Sequence, residues 1–139
     1  MKKLVFLTVA LSFFFATFIQ AQAECQVKYT GIYKADLNED EAIYLRFFKD
    51  GTVLHTSSIT DEKKAYKFLI QQFSDQMLSG KFYQRGCSFS ADVKHAKIKL
   101  AVKGAVQGDI LLVSMKDKVT GETFDKQFEY FEMEEELEE

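Results

Sequence analysis

The chain has 139 residues and contains no proline, no tryptophan, two cysteines and two histidines. So few sulfur and imidazole groups nearly exclude a zinc, haem or iron–sulfur site with several protein ligands, and we expect no metal and no cofactor. A large excess of one charge is also missing, because 18 basic residues stand against 21 acidic ones. This balance provides no global basic field to attract nucleic acid or anionic lipid, so we expect no nucleic-acid partner.

The chain is nevertheless rich in apolar side chains, at 47% hydrophobic and 14% aromatic residues. A disordered chain has far fewer of both, so one compact domain is expected. Six acidic residues are concentrated at the C-terminus, after the last aromatic run. Like-charge repulsion favours a solvated end here, and we predict a folded domain over residues 24–131 and a disordered acidic tail over residues 132–139.

The N-terminus has the three parts of a secretory signal. Residues 1–3 include two lysines, residues 4–19 are uncharged and mostly apolar, and residues 21–23 are Ala-Gln-Ala. The apolar run is short for a membrane span of roughly 20 residues, and a small-x-small cleavage site follows it. We therefore predict a cleaved signal peptide over residues 1–23, a secreted or periplasmic protein, and no stable membrane span after cleavage.

Export gives the two cysteines a structural meaning. In an oxidising compartment, two and only two cysteines predict one disulfide, here between Cys25 and Cys87. The bond would connect the mature N-terminus to the middle of the chain. A redox-active role is less favoured, because the chain has no C-x-x-C motif.

Alternation of apolar and polar residues with a period of two dominates the mature chain. At Ile98, Leu100 and Val102, for example, every second residue is apolar, which is typical of a strand with one buried and one solvated face. Glycines in the turns at positions 51, 86, 108 and 121 separate such runs, since glycine adopts positive φ at little cost. The pattern predicts eight strands, over residues 26–35, 42–48, 52–59, 81–84, 87–93, 96–106, 109–115 and 123–131.

One segment has a different period. Between Asp61 and Leu78, apolar residues recur every three or four positions, which predicts one amphipathic helix between the third and fourth strands. With no crossover helices elsewhere, the sheet is expected to be antiparallel. The predicted fold is therefore mainly β: an up-and-down barrel of about eight strands, with the helix covering one mouth or one flank. An open half-barrel packed on the helix is the alternative.

A Y-L-R-F-F-x-D-G stretch begins at Tyr44. It is similar to the opening hairpin of small secreted bacterial lipocalin-like (calycin-type) barrels and to a hairpin in the C-terminal barrel of some F-box proteins. Residues 31–33, 80–83 and 104–111 resemble other strands and turns of the same pattern. The resemblance implies a calyx-type scaffold that holds small apolar molecules and in some members blocks a protease.

The hairpin at Asp50-Gly51 decides which side chains share a face. A two-residue turn places Arg46 opposite His55, with Tyr44 and Phe48 on the same face. A three-residue loop with a bulge places Arg46 opposite Leu54 instead. The sequence permits both registers.

A single arginine among aromatic residues has two interpretations. Arg46 either faces the lumen and pairs with a ligand carboxylate, or lies outside with its stem across Tyr44 and Phe48. Our candidate ligand-binding residues are Tyr44, Arg46, Phe48 and His55.

No catalytic motif is present, so we expect no enzyme. The favoured hypothesis is a binding protein that takes a small apolar or amphipathic molecule through the barrel mouth. The alternative is a protein-binding module with a filled core, either a secreted inhibitor or a cell-envelope assembly partner. An envelope or extracellular protein would then be the partner.

Overall fold

The computed structural model describes residues 25–57 and 61–134. The predicted signal peptide and the last five residues of the predicted tail lie outside this part of the chain. Within it, eight antiparallel strands form one closed barrel in which each strand pairs with its sequence neighbours and β8 pairs with β1. The strands are β1 (Gly31–Asp36), β2 (Ala42–Phe47), β3 (Thr52–Ser57), β4 (Leu78–Arg85), β5 (Ser88–His95), β6 (Ile98–Gln107), β7 (Ile110–Asp117) and β8 (Thr123–Glu132).

The closed antiparallel barrel predicted from the alternation is therefore confirmed. All four turn glycines have positive φ, between 61° and 92°. Ala96, which the prediction placed at the start of a strand, has a φ of 52° and forms the turn between β5 and β6. The last strand extends to Glu132, which pairs with Gly31, so the sheet continues one residue into the predicted tail.

The predicted single helix is divided into two short ones. The helix α1 (Glu62–Phe68) begins at the N-cap Asp61, whose side chain accepts hydrogen bonds from the amides of Lys63 and Lys64. A 3-10 helix (Gln71–Gln76) follows. Between the two, Ile70 is extended, at φ −118° and ψ 148°, and interrupts the helical hydrogen bonds. The periodicity predicted the apolar face but not this break.

The barrel interior is filled most heavily at one end. The ring of Phe47 makes edge-on contacts with the rings of Tyr33, Phe82 and Phe89, at centroid distances of 5.6, 5.0 and 5.4 Å. Phe128 is fully buried in the same cluster. Such contacts are favourable beyond the burial of area alone. The half of the barrel nearest the β2–β3, β4–β5 and β6–β7 turns therefore has an aromatic core.

A disulfide between Cys25 and Cys87 lies at this end, with Cα atoms 4.5 Å apart, as predicted. It ties the segment before β1 to the β4–β5 turn. Val27 in this segment is buried against the barrel core, and the amide of Lys28 donates to the hydroxyl of Tyr33 at 2.8 Å. We call the end of the barrel that carries this disulfide the disulfide end. Residues 25–30 cover the disulfide end. The prediction had placed residues 26–30 in the first strand, but β1 begins at Gly31.

The opposite end is formed by the β1–β2 loop, the β5–β6 turn and the β7–β8 turn. We call it the mouth. Several large apolar side chains are exposed around it: Leu37 (39%), Ile98 (49%), Val119 (67%) and Phe124 (36%). The α1 helix packs beside the barrel, because Ala65 and Leu69 contact the outward residues Ile32, Tyr44 and Leu54. The helix therefore covers the flank formed by β1 to β3.

Candidate functional site

The Asp50-Gly51 hairpin has the longer of the two loops that the sequence permitted. The amide of Phe48 donates to the carbonyl of Thr52 at 2.9 Å, and three residues lie between them. As a result Arg46 pairs with Leu54, and Leu45 pairs with His55. Because side chains alternate along a strand, this register separates the four candidate residues. His55 faces the interior, whereas Tyr44, Arg46 and Phe48 face outward.

Arg46 lies between the outer wall of the barrel and α1, and only 8% of it is exposed. Its guanidinium carbon is 4.0 Å from the ring centre of Tyr66 and 4.7 Å from that of Phe48. Its Nη1 donates to the carbonyls of Leu69, at 2.9 Å, and Tyr66, at 3.3 Å. These carbonyls lie at the C-terminal end of the helix, where a positive charge is favourable.

The interpretation that places Arg46 in the lumen is therefore wrong for this register. Arg46 terminates α1 from the adjacent sheet, and it satisfies carbonyls that a continuous helix would pair with amides four residues ahead. Phe48 packs against the apolar cluster between the barrel wall and α1, which includes Tyr44, Leu54 and Leu69. Tyr44 is fully buried there, and burial raises the pKa of its hydroxyl.

Arg46→Met is expected to lower the free energy of unfolding by about 2 kcal/mol, because two buried helix-end carbonyls lose charged donors while the apolar stem is kept. Urea unfolding measures the change. The hydrogen-exchange rate should increase most at the amide of Leu69, which donates to the carbonyl of Ala65 in the last turn of α1. Arg85→Met at an exposed position is the matched control and should change the stability by less than about 0.5 kcal/mol. Equal effects in the two variants would contradict the capping role.

His55 is the candidate that does lie inside the barrel. It is 6% exposed, and neither ring nitrogen has a hydrogen-bond partner among the described residues. Burial lowers the pKa of the imidazole from 6.5 to about 4. The carbonyl of its own backbone offsets this effect only in part, and it is not placed to form a hydrogen bond with either ring nitrogen. At neutral pH the ring is therefore uncharged and presents one donor and one acceptor.

The position of His55 relative to the core determines what can reach it. It pairs with Leu45 on one side and Leu78 on the other. Phe47 and the other aromatic residues lie towards the disulfide end. On the mouth side, β3 ends at the exposed Ser57, and the inward residues there include Ile43 of β2 and Ala35 of β1. Side chains smaller than phenyl rings therefore lie between the imidazole and the mouth.

A basic side chain on the inner face of the barrel also lies near the mouth. Lys126 is on the inward side of β8, next along that face from Phe124, and its ammonium group is 3.5 Å from the carbonyl of Asp36. The other histidine, His95, is half-buried at the end of β5. No group of three or more histidine, cysteine, aspartate or glutamate side chains within residues 25–57 and 61–134 is arranged to hold a metal ion.

Two shallow depressions lie on the outer wall, away from the helix. One, of about 550 Å³, crosses β6 to β8, and the other, of about 390 Å³, crosses β4 to β6. The first depression is lined by the small residues Ala105 and Ser114 and by the exposed Leu112. The second is lined by the small residue Ser90 and by the exposed Tyr83. The sequence did not indicate them, because they depend on the alignment of residues across several strands.

Comparison with known proteins finds no matching family model, no similar curated protein and no similar solved structure. None of the helices described is both long and apolar enough to cross a membrane. The fold thus defines the chain as a closed eight-stranded antiparallel barrel with a disulfide and a helix on one flank. Function has to be argued from the sites themselves.

Proposed function

We propose that this protein is a non-enzymatic binding protein that takes a small amphipathic molecule at the mouth of the barrel, with the polar group of the ligand hydrogen-bonded to His55. The observation that carries the proposal is the burial of an imidazole with no partner among the described residues. A buried polar group without a partner costs about 1–3 kcal/mol, and such groups call for an explanation. A ligand hydroxyl or carboxyl group supplies the missing hydrogen bond.

The shape of the core limits the size of this ligand. An eight-stranded barrel leaves room for at most one small guest. The aromatic cluster around Phe47 occupies the disulfide end, so the apolar part of the ligand lies in the mouth half, near Leu78 and the exposed Ile98 and Phe124. This arrangement favours a short-chain or single-ring amphipathic molecule over a large lipid.

The N-terminal sequence pattern and the disulfide support a role outside the cytoplasm. The N-terminal pattern predicts a secretory signal, and the Cys25–Cys87 disulfide is typical of oxidising compartments. We therefore propose a secreted or periplasmic location. N-terminal sequencing of protein from its own host tests this, and a mature chain that begins at residue 24 is the expected result.

Titration with 1-octanol and with octanoate, followed by NMR of the histidine ring nitrogens, tests the ligand proposal. We expect saturable shifts at His55, together with a loss of affinity of about tenfold or more in His55→Leu, because one buried hydrogen bond contributes about 1.4 kcal/mol or more. His95→Gln also removes an imidazole near the mouth and should bind as the wild type does. Shifts confined to the outer wall, or unchanged affinity in His55→Leu, would exclude His55 as the anchor.

A second candidate function, a protein-binding module, is favoured by the depressions on the outer wall and by Tyr83, which is 72% exposed. Exposed aromatic side chains beside small residues are suited to anchoring a partner. Native mass spectrometry of protein from its host separates the two functions. A co-purifying protein that is lost in Ser114→Arg, with octanol binding retained, would favour the module.

A further inference from the structure

Positive charge is concentrated on one side of the barrel although the whole chain has a net charge of −3. Residues 78–118, which form the adjacent strands β4 to β7, contain eight lysines and arginines and only three aspartates. One of these aspartates, Asp109, pairs with Lys28 at the disulfide end. Strand pairing therefore creates a basic surface that the net charge of the whole chain does not reveal.

The positive charge is densest where two hairpins meet at the mouth. Lys94 is directly opposite Lys99 across the β5–β6 ladder, and the amide of Lys118 donates to the carbonyl of Lys99 at 2.9 Å. We call the exposed lysines 94, 97, 99, 116 and 118 the lysine cluster. Like charges directly opposite each other in a sheet are destabilising unless an anion lies nearby.

Few acidic groups compensate this cluster. The carboxylate of Asp92 binds Lys118 at 2.6 Å, and that of Asp117 accepts hydrogen bonds from the amides of its own turn. Glu122 is exposed in the same turn. The acidic β1–β2 loop lies on the opposite side of the mouth from the β5–β6 hairpin, and β8 separates it from the lysines on β7.

Each of the two hairpins also exposes an apolar side chain beside its lysines. Ile98 is 49% exposed at the β5–β6 turn, and Val119 is 67% exposed at the β7–β8 turn. Phe124, at the start of β8, is 36% exposed beside them. Basic and apolar side chains together at a protruding edge are characteristic of surfaces that bind an anionic membrane interface.

We infer that the lysine cluster, with Ile98 and Val119, docks the barrel onto an anionic lipid bilayer with the β5–β6 and β7–β8 hairpins towards the headgroups. The residue types in the lysine cluster favour a bilayer over an acidic protein as the partner. All five basic residues of the cluster are lysines, which are depleted in protein interfaces where arginine is enriched. Lysines act as point charges and suit a diffuse layer of anionic headgroups. The inference does not depend on a ligand at His55.

Co-sedimentation of residues 24–139 with vesicles tests the inference. We expect binding to phosphatidylcholine vesicles that contain about 30% phosphatidylglycerol, little binding to phosphatidylcholine alone, and release when NaCl rises from about 0.1 M to about 0.5 M. Lys97→Gln with Lys99→Gln should lower the partition coefficient about 25-fold, since each lysine near such a surface contributes about fivefold. Ile98→Ser with Val119→Ser should weaken binding at high salt most.

The matched control is Lys63→Gln with Lys64→Gln. It removes the same charge from two exposed lysines on α1, and its binding should equal that of the wild type. Thermal unfolding of every variant checks that the barrel remains folded. Equal binding to neutral vesicles, equal losses in the two double variants, or binding to polyglutamate but not to vesicles would each overturn the assignment to a lipid surface.

Discussion

Replacing both Cys25 and Cys87 by serine is expected to lower the free energy of unfolding by about 4 kcal/mol. The disulfide joins residues 62 positions apart, and closing a loop of that length removes much of the conformational entropy of the unfolded chain. A loss of this size is a large share of the stability of a small domain. Urea unfolding of the variant and the wild type measures it.

Two comparisons assign the loss to the bond itself. Wild-type protein unfolded in the presence of a reductant should match the double variant. Val27→Ala keeps the disulfide and removes one buried contact at the same end of the barrel, so it should cost only about 1–2 kcal/mol. A difference between double variant and wild type of less than about 1 kcal/mol would show that the disulfide adds little to the fold.

The second large effect is a dependence of stability on pH that originates at His55. Its folded-state pKa of about 4 lies below the usual 6.5, so the unfolded chain binds a proton between these values while the native chain does not. The part of the unfolding free energy that depends on His55 being uncharged is fully present above pH 6.5 and is lost as the pH falls to about 4. The difference in pKa corresponds to about 3 kcal/mol.

His55→Leu removes this titration and isolates its effect. Between pH 7 and pH 4, the variant should lose about 3 kcal/mol less stability than the wild type, as measured by urea unfolding at each pH. Asp50 and Glu62, whose pKa values are lowered by hydrogen bonds, are present in both proteins and cancel in the comparison. If His95→Gln flattened the pH dependence instead, the assignment to His55 would be wrong.

The strands were predictable because their signals are local. Alternation in β6, where Leu100 and Val102 are buried and Lys99 and Lys103 are exposed, requires only that one face point inward. Each turn glycine marks a place where positive φ is needed. Two cysteines leave one possible disulfide within the chain. The position and apolar face of the helix were predictable, but its length was not. The break at Ile70 lies beside carbonyls that are hydrogen-bonded to Arg46, which comes from β2 and not from the helix.

The positions of the four candidate side chains were predicted only in part. Of the four residues, only His55 lies inside the barrel, because the sequence permitted two loop lengths at Asp50-Gly51 and a change of one residue reverses every face of a strand. The outward position of Arg46 among aromatic residues was one of the two interpretations. Its role in terminating α1 was not foreseen, since no local signal connects residue 46 with residues 66 and 69.

The lysine cluster illustrates a further limit. The overall charge gave no reason to expect binding to an anionic surface, and along the chain Lys116 and Lys118 lie well beyond the short run that contains Lys94, Lys97 and Lys99. Strand pairing brings these lysines together on one edge and leaves most of the acids elsewhere. Net charge is a sum over the chain and contains no information about this separation.

From the sequence alone follow the strand order, the turns, the disulfide and the antiparallel class of the sheet, because each depends on neighbouring residues or on a pairing with no competitor. Only the tertiary structure decides the hairpin register, the helix break, the isolation of His55 and the clustering of lysines at the mouth. These features depend on contacts between residues far apart in the chain, and the free energies that select them arise only once the barrel is closed.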